Sequence, residues 1–157
     1  MQKITPFLWF DTQAEEAANH YVSIFKNSKI HGVSRYGEGG PGPKGSVMTV
    51  NFELEGQNFT ALNAGPHFKF NESVSFYIRC ETQAEVDEFW EKLIAGGGQP
   101  SQCGWLKDKF GLSWQVIPNA LPELLNDPDP AKSARVMQSM MKMSKIDVAG
   151  LRAAAAG

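Results

Sequence analysis

The chain has 157 residues, 42% hydrophobic and 20% charged, with a formal net charge of −2, which suits one globular domain of ordinary size and excludes a disordered chain. The charge is near neutral and there is no basic block, so no nucleic acid and no anionic membrane surface is expected as a partner. No apolar run approaches the roughly 18 residues of a membrane span, and MQKITPFLWF lacks a signal-peptide layout, so a cytoplasmic location is expected.

In chain order, KITPFLWFD reads as a buried strand, with β-branched and aromatic residues and Pro6 near its start. A helix follows. Asp11 or Thr12 can cap it, Glu15 stands at capping-box distance from Thr12, and Ala14, Ala17, Ala18, Tyr21, Ile24 and Phe25 make its apolar face. NSKIHGVSRYG is a second strand. The glycine- and proline-rich stretch GEGGPGPKG at 37–45 predicts a mobile loop. SVMTVNFELEG alternates, with Val47, Thr49 and Asn51 against Met48, Val50, Phe52 and Leu54, and turns at Gly56 into QNFTALNAG to form a hairpin.

The order then restarts. The motif DTQAE at 11–15 returns as ETQAE at 81–85. SVSFYIRC is a strand before it. The helix after it carries Val86, Phe89, Trp90, Leu93 and Ile94 on one face and stops at Gly96 to Gly98. CGWLKDKFGLSWQVIP supplies two short strands around a turn at Lys107–Gly111. Each half therefore reads β-α-β-β-β, although the second strand of the second half is poorly marked. The caps align at an offset of 70 but the helix faces at 69, as Tyr21 with Trp90 and Ile24 with Leu93, so one residue was gained between cap and face. A unit this small cannot readily bury both faces of its sheet, which favours two copies. Beyond 120 lie a short helix, a helix with Pro130 in its first turn, and a last helix that Asp147 can cap, with Ile146 and Leu151 at hydrophobic-staple spacing.

The stretches PFLWFDTQAEEAANHYVSIFKNSKI, ALNAGPHFKFNESVSFYIRCETQAEVDEFW, GWLKDKFGLSWQVIP and NDPDPAKSARVMQSMMKMSKIDV resemble the PhnB-like proteins of the vicinal oxygen chelate superfamily. That superfamily holds glyoxalases, bleomycin-resistance proteins and extradiol dioxygenases. The resemblance covers nearly the whole chain, and takes the last stretch as a tail typical of the subgroup. It implies an α+β, glyoxalase-like fold of two βαβββ modules, 1–66 and 72–119, whose curved sheets form a cleft, with a C-terminal helical extension at 120–157. The family has also carried a demethylubiquinone methyltransferase label. The only glycine-rich stretch, 37–45, precedes a strand and opens no helix, so it does not resemble a nucleotide-binding turn.

In metal-dependent members the ligands sit on the first and last strands of each module. Counting back from His20–Tyr21 and from Phe89–Trp90 matches those positions to Pro6 and Ser75, and the last strands offer Asn63 and Gln115. Proline has no donor atom, and neutral Ser, Asn and Gln are weak ligands, so neither a metal nor a cofactor is expected. By alternation, Tyr77 and Arg79 would share the cleft with Ser75, and Ser113 with Gln115, with Leu8 and Phe10 from the first module. Arg79 at the rim would instead pair with Glu81 or Glu53. Trp9, Trp90 and Trp114 are expected to face the helices as core, while Trp105 and Lys107 are placed to border a ligand. His67, between the modules, is a candidate for proton transfer or a loop histidine bound to solvent. Cys103 would be a nucleophile only with a depressed pKa, and no histidine partner is visible; with only two cysteines, it and Cys80 read as inert thiols.

The expected function is metal-independent binding of a small-molecule ligand. The alternative is an enzyme, a lyase, an oxygenase or a methyltransferase-labelled member, using His67, Tyr77 and Arg79. Val136, Met137, Met140, Met141 and Met143 form an apolar helix face that caps its own chain or crosses to a neighbour. The resemblance favours the second, and so a homodimer.

Overall fold

The structure, a computed structural model, describes residues 2–157. The chain forms two compact units, Met1–Phe70 and Asn71–Gly157. The first contains β1 (Phe7–Phe10), α1 (Ala14–Ile24), β2 (Lys29–Arg35), β3 (Val47–Leu54) and β4 (Gln57–Asn63), in sheet order β1-β4-β3-β2. The second contains β5 (Ser75–Cys80), α2 (Gln83–Ile94), β6 (Gln99–Pro100), β7 (Trp105–Lys107) and β8 (Ser113–Pro118), in sheet order β5-β8-β7-β6. In both sheets the first strand runs parallel to the last and the other pairings are antiparallel. Both halves are therefore βαβββ, and the poorly marked strand is β6, only two residues long. The tail holds α3 (Ala120–Leu125), α4 (Pro130–Met140) and α5 (Val148–Ala156), and belongs to the second unit. Among the described residues no helix is long and apolar enough to cross a membrane.

Each helix covers one face of its own sheet. Ala14, Ala17, Ala18, Tyr21 and Ile24 of α1 are buried, with the Tyr21 ring stacked on Phe52 and Phe52 on Phe59. Val86, Trp90 and Leu93 of α2 are buried in the same manner over Leu106, Trp114 and Val116. The β3–β4 turn places Glu55 and Gly56 both at positive φ, 49° and 83°, as a two-residue hairpin turn of right-handed twist requires.

The repeated motif works differently in its two copies. In the second, Thr82 is the N-cap: its side chain accepts from the Glu85 N–H at 3.2 Å, while Glu85 Oε1 accepts from the Glu81 N–H at 3.3 Å. In the first, the expected cap by Asp11 or Thr12 does not form. Gln13 occupies the N-cap without a side-chain bond, and the Ala14 N–H donates instead to Asn63 Oδ1 at 2.8 Å. The reason is the residue gained between cap and face. The buried positions Ala17, Tyr21 and Ile24 match Val86, Trp90 and Leu93 at 69, yet the strand ends Phe10 and Cys80 stand 70 apart. Thr12 is thus one residue too far from the helix, and a side chain at the end of β4 takes its place.

The stretch 37–45 is a loop, but it is built around a ring. Tyr36 is buried, and a Cβ at Gly40 would lie 2.8 Å from its ring; one at Gly42 would overlap it outright. The Tyr36 hydroxyl donates to the Asn63 carbonyl. The expected loop is present, and it folds over Tyr36, which is tied to the residue that caps α1.

The tail folds onto its own unit. Val136, Ile146, Leu151 and Ala155 bury with Ile117 and Leu121, and Met140 and Met143 pack against this cluster. Most of the methionine face thus covers its own chain, leaving Met137 and Met141 exposed. Ile146 and Leu151 share the cluster, as their staple spacing implies. Asp147 is the N-cap of α5 but makes no side-chain cap bond. Gln83 supplies it: its Oε1 accepts from the Val148 N–H at 2.8 Å, and its Nε2 donates to the Ile146 carbonyl at 2.9 Å.

These caps predict a sharp contrast. Thr82→Ala should cost about 1 kcal/mol of stability, and Asn63→Ala about 1–2 kcal/mol, since it also loses a bond to the Val47 carbonyl. Thr12→Ala, in the same motif, should stay within about 0.5 kcal/mol of wild type. Urea unfolding of the three variants measures the difference.

Candidate functional site

With one face of each sheet buried under its helix, only the opposite faces are open to chemistry. Strand registers assign each residue to a face, because directly paired residues share one. In the second unit Ser75 pairs with Ser113, Tyr77 with Gln115 and Arg79 with Ile117, while Trp105 pairs with Gln115 and Lys107 with Ser113. These residues lie on the face away from α2. The six sequence-predicted members, Ser75, Tyr77, Arg79, Trp105, Ser113 and Gln115, therefore sit together, with Lys107.

The face is polar with two rings. Gln115 Nε2 donates to Ser75 Oγ at 2.9 Å. Ser113 Oγ is buried, with no hydrogen-bond partner among the described residues. The Lys107 ammonium pairs with Glu72, which holds the Glu72 carboxyl below its usual range. Tyr77 and Arg79 are exposed, and Arg79 has no ion-pair partner among the described residues. Burial of the Tyr77 phenol raises its pKa, the Arg79 charge opposing this by less, so Tyr77 is a neutral hydroxyl at neutral pH.

The first unit corrects several expectations. Leu8 and Phe10 pair with Ala61 and Asn63 and are buried on the α1 side; they do not reach the open face. Trp9, expected in the core, takes their place there. It is half-buried, its indole N–H donates to the Gly65 carbonyl at 2.9 Å, and the Phe68 ring meets it edge-on at 4.8 Å. Asn63 also points to the helix side, as the α1 cap. The slip has one cause. Counting back from the helix carried the helix-face offset of 69 across the inserted residue into the strand, and a one-residue slip inverts a strand's faces. At the strand offset of 70, Thr5 and not Pro6 is the counterpart of Ser75. By the same alignment of pairings, Phe10↔Asn63 with Cys80↔Pro118, Thr60 and not Asn63 is the counterpart of Gln115.

The positions that the resemblance matches to the ligands of a metal are then Thr5 and Thr60 in the first unit and Ser75 and Gln115 in the second. They do not fit one. All are neutral, Gln115 is bonded to Ser75, and Thr60 Oγ1 donates to Asn51 Oδ1 at 2.8 Å. Catalytic metals take imidazole, thiolate or carboxylate, and no three such side chains gather among the described residues. His67 is exposed in the first unit beside Gly65, His31 pairs with Glu53, and His20 is on α1. Cys103 is half-buried at a positive φ of 59°, its N–H donating to the Met143 carbonyl at 2.9 Å. Cys80 is a core thiol, which burial pushes up to about 12.

Sequence reasoning missed Asp108. It is buried in the β7–β8 turn, where Oδ1 accepts from the Phe110 and Leu112 N–H groups and Oδ2 from the Trp114 indole at 2.9 Å. It fixes the turn that aligns Lys107 with Ser113. The signal available was an acid three residues before Gly111, a common turn arrangement.

A family model described as 3-demethylubiquinone-9 3-methyltransferase matches residues 2–117. A Bacillus cereus structure described as a PhnB protein, and carrying the same methyltransferase description, is 40% identical over 74% of this chain and 99% of its own, with a TM-score of 0.68. The fosfomycin resistance protein FosX from Listeria monocytogenes is similar in fold, at 15% identity over 78% of this chain and 97% of its own, TM-score 0.53. A glyoxalase/bleomycin resistance protein from Albidiferax ferrireducens matches at 11% identity over 73% and 96%, TM-score 0.50. No curated protein matches the chain. The tail, which the resemblance takes as typical of the subgroup, lies beyond the end of the family model, and the Bacillus chain is all but exhausted by 74% of this one.

The donor set predicts the outcome of a metal titration. Calorimetry with zinc, nickel or manganese should show no tight site on the second sheet. A submicromolar isotherm that Gln115→Ala abolishes would overturn this reading.

Proposed function

The chain belongs to the PhnB-like family of the vicinal oxygen chelate superfamily, and on that premise we propose that it is a metal-independent binding protein for a small organic anion. The observation that carries this reading is the open face of the second sheet. Its metal positions hold neutral side chains bonded to each other, and beside them stands an unpaired cation, Arg79. Arg79 supplies charge-assisted hydrogen bonds to a carboxylate or similar group. Tyr77 and Trp105 offer flat apolar surface and a neutral hydroxyl, and Gln115 and Ser113 offer orienting polar atoms. A flat molecule with one acidic group, such as an aromatic carboxylate, suits this set. Resistance proteins such as FosX lend precedent of fold only.

The methyl transfer in the family description does not come with the fold. The glycine-rich stretch of this chain encloses Tyr36 and opens no helix, so it does not have the form of a dinucleotide-binding turn. A second reading, an enzyme acting through Tyr77 and Arg79, has one observation in its favour: the two stand on the same face of β5, where a phenol can pass a proton to a substrate held by the cation. Turnover that Tyr77→Phe removes while the fold survives would select it. We also place the protein in the cytoplasm, as a homodimer. Phe7, Phe68, Val74, Met137 and Met141 remain exposed on the single chain, and burying such side chains against a second copy would stabilise the pair. Light scattering across the micromolar range should give twice the mass of one chain; a monomer throughout refutes the dimer.

Calorimetry with benzoate tests the binding reading. Arg79→Met should weaken binding by about 1.5–3 kcal/mol, the worth of a charged hydrogen bond. Lys92→Met, which removes a surface charge from α2, should leave it unchanged. Equal affinity in wild type and Arg79→Met would refute the assignment.

A further inference from the structure

A second cation stands on the open face of the second sheet, at the end opposite Arg79. Rows cross that face from β5 through β8 to β7. The first holds Ser75, Ser113 and Lys107, the second Tyr77, Gln115 and Trp105, and Arg79 opens the third. Arg79 is four residues along β5 from the row of Lys107, about 13 Å at the rise of a strand. The two rings of the middle row lie between the two cations.

Lys107 is not free. Its ammonium pairs with Glu72, in the turn before β5, and the two side chains are 39% and 60% exposed. Lys107 is on β7 and Glu72 leads into β5, so the pair bridges the start of β8, which is Ser113. The Ser113 hydroxyl is buried and has no hydrogen-bond partner among the described residues, a state that native proteins seldom leave unanswered. The turn itself does not depend on the Glu72 carboxylate. Asn71 Oδ1 holds it, accepting from the Ser73 N–H at 2.9 Å and from the Ser73 hydroxyl at 2.6 Å. An ion pair this exposed contributes little to stability, so an incoming acid can take the ammonium while Glu72 turns to solvent.

We propose that the Lys107–Glu72 pair is a second anion subsite, closed by the chain's own carboxylate, and that the ligand which opens it is a flat diacid. One carboxylate of that ligand lies on Arg79, its rings lie over Tyr77 and Trp105, and its other carboxylate replaces Glu72 on Lys107. The proposal rests on the binding reading above and names the class of ligand. A carboxylate drawn in beside Lys107 also brings the Ser113 hydroxyl an acceptor, which Glu72 does not give it. A monoacid held by Arg79 leaves Glu72 in place and gains nothing at this end.

Biphenyl-4-carboxylate and biphenyl-4,4′-dicarboxylate share their rings and differ by the second acid. Calorimetry on the full chain at neutral pH measures both, for wild type, Glu72→Gln and Lys107→Met. Either end of the diacid can take Arg79, which alone gives it a small statistical advantage. In wild type the diacid should bind about tenfold more tightly than the monoacid, a charge-assisted hydrogen bond gained less an exposed ion pair lost. Glu72→Gln removes the competitor and should widen that ratio by about threefold. Lys107→Met should remove the preference. A ratio no greater than the statistical advantage in both wild type and Glu72→Gln overturns the subsite, as does a ratio that Lys107→Met leaves unchanged; monoacid binding that depends on Arg79 then leaves the binding reading intact. If neither acid binds wild type or Glu72→Gln, the binding reading fails and the subsite falls with it.

Discussion

A two-faced sheet with one helix can serve only one side at a time, and here the helix side takes precedence. Tyr21, Phe52, Trp90 and Trp114 are among the largest buried side chains of their units, and burying an aromatic ring of that kind is worth about 1.5–3 kcal/mol relative to exposure. Strand phase is therefore held firmly: a slip of one residue would trade Phe10, Phe59, Ile78 and Trp114, which pack under these helices, for Trp9, Thr60, Tyr77 and Gln115. Everything polar on the open faces is there by default of this constraint. It also explains where the repeat tolerated an extra residue. A residue gained inside β1 would invert the strand. One gained between the strand and the face of α1 leaves both faces intact and dislocates only a cap. The cap was then rebuilt from Asn63.

The repeat itself, the element order and both helix faces are legible in the sequence because each is a local periodicity. The apolar positions expected of α1 are all buried, and in α2 Val86, Trp90 and Leu93 are buried while Phe89 and Ile94 are half-buried. The phase of β1 was not legible by counting from the helix, because the count crossed the insertion. Its own composition misleads too: Phe7, Leu8, Trp9 and Phe10 are all apolar, so alternation leaves no mark. Trp9 reads as core by residue type, and it lies on the open face because its indole N–H has a carbonyl to meet there at Gly65. In β5 the polar residues Ser75 and Arg79 alternate with Phe76, Ile78 and Cys80, and the face could be read directly.

Caps show the same limit from another side. Thr82 and Asp129 cap their helices with their own side chains, as a local code dictates. Thr12 and Asp147 carry the same local code and make no such bond. In both failures the free N–H is answered by an amide from a distant segment, Asn63 for α1 and Gln83 for α5. An amide offers an acceptor and a donor together, so each bonds a second backbone group as well: the Val47 carbonyl for Asn63, the Ile146 carbonyl for Gln83. A capping residue drawn from elsewhere in the chain is thereby also a tertiary tie, which no spacing rule within one helix reveals.

The position of Gln83 makes that tie consequential. It is the residue that follows Thr82 in the repeated motif, and its counterpart at the strand offset is Gln13, which bonds only its neighbour's N–H. The same dipeptide therefore ends as a plain helix start in one unit and as the anchor of the C-terminal tail in the other. Only the second unit carries a tail, and only there is the last apolar residue of the open face, Ile117, covered by one; its first-unit counterpart Leu62 is left half-buried. The asymmetry between the two copies thus includes one amide side chain, which holds a tail in the second unit beside the Lys145–Asp87 pair and the cluster around Ile117.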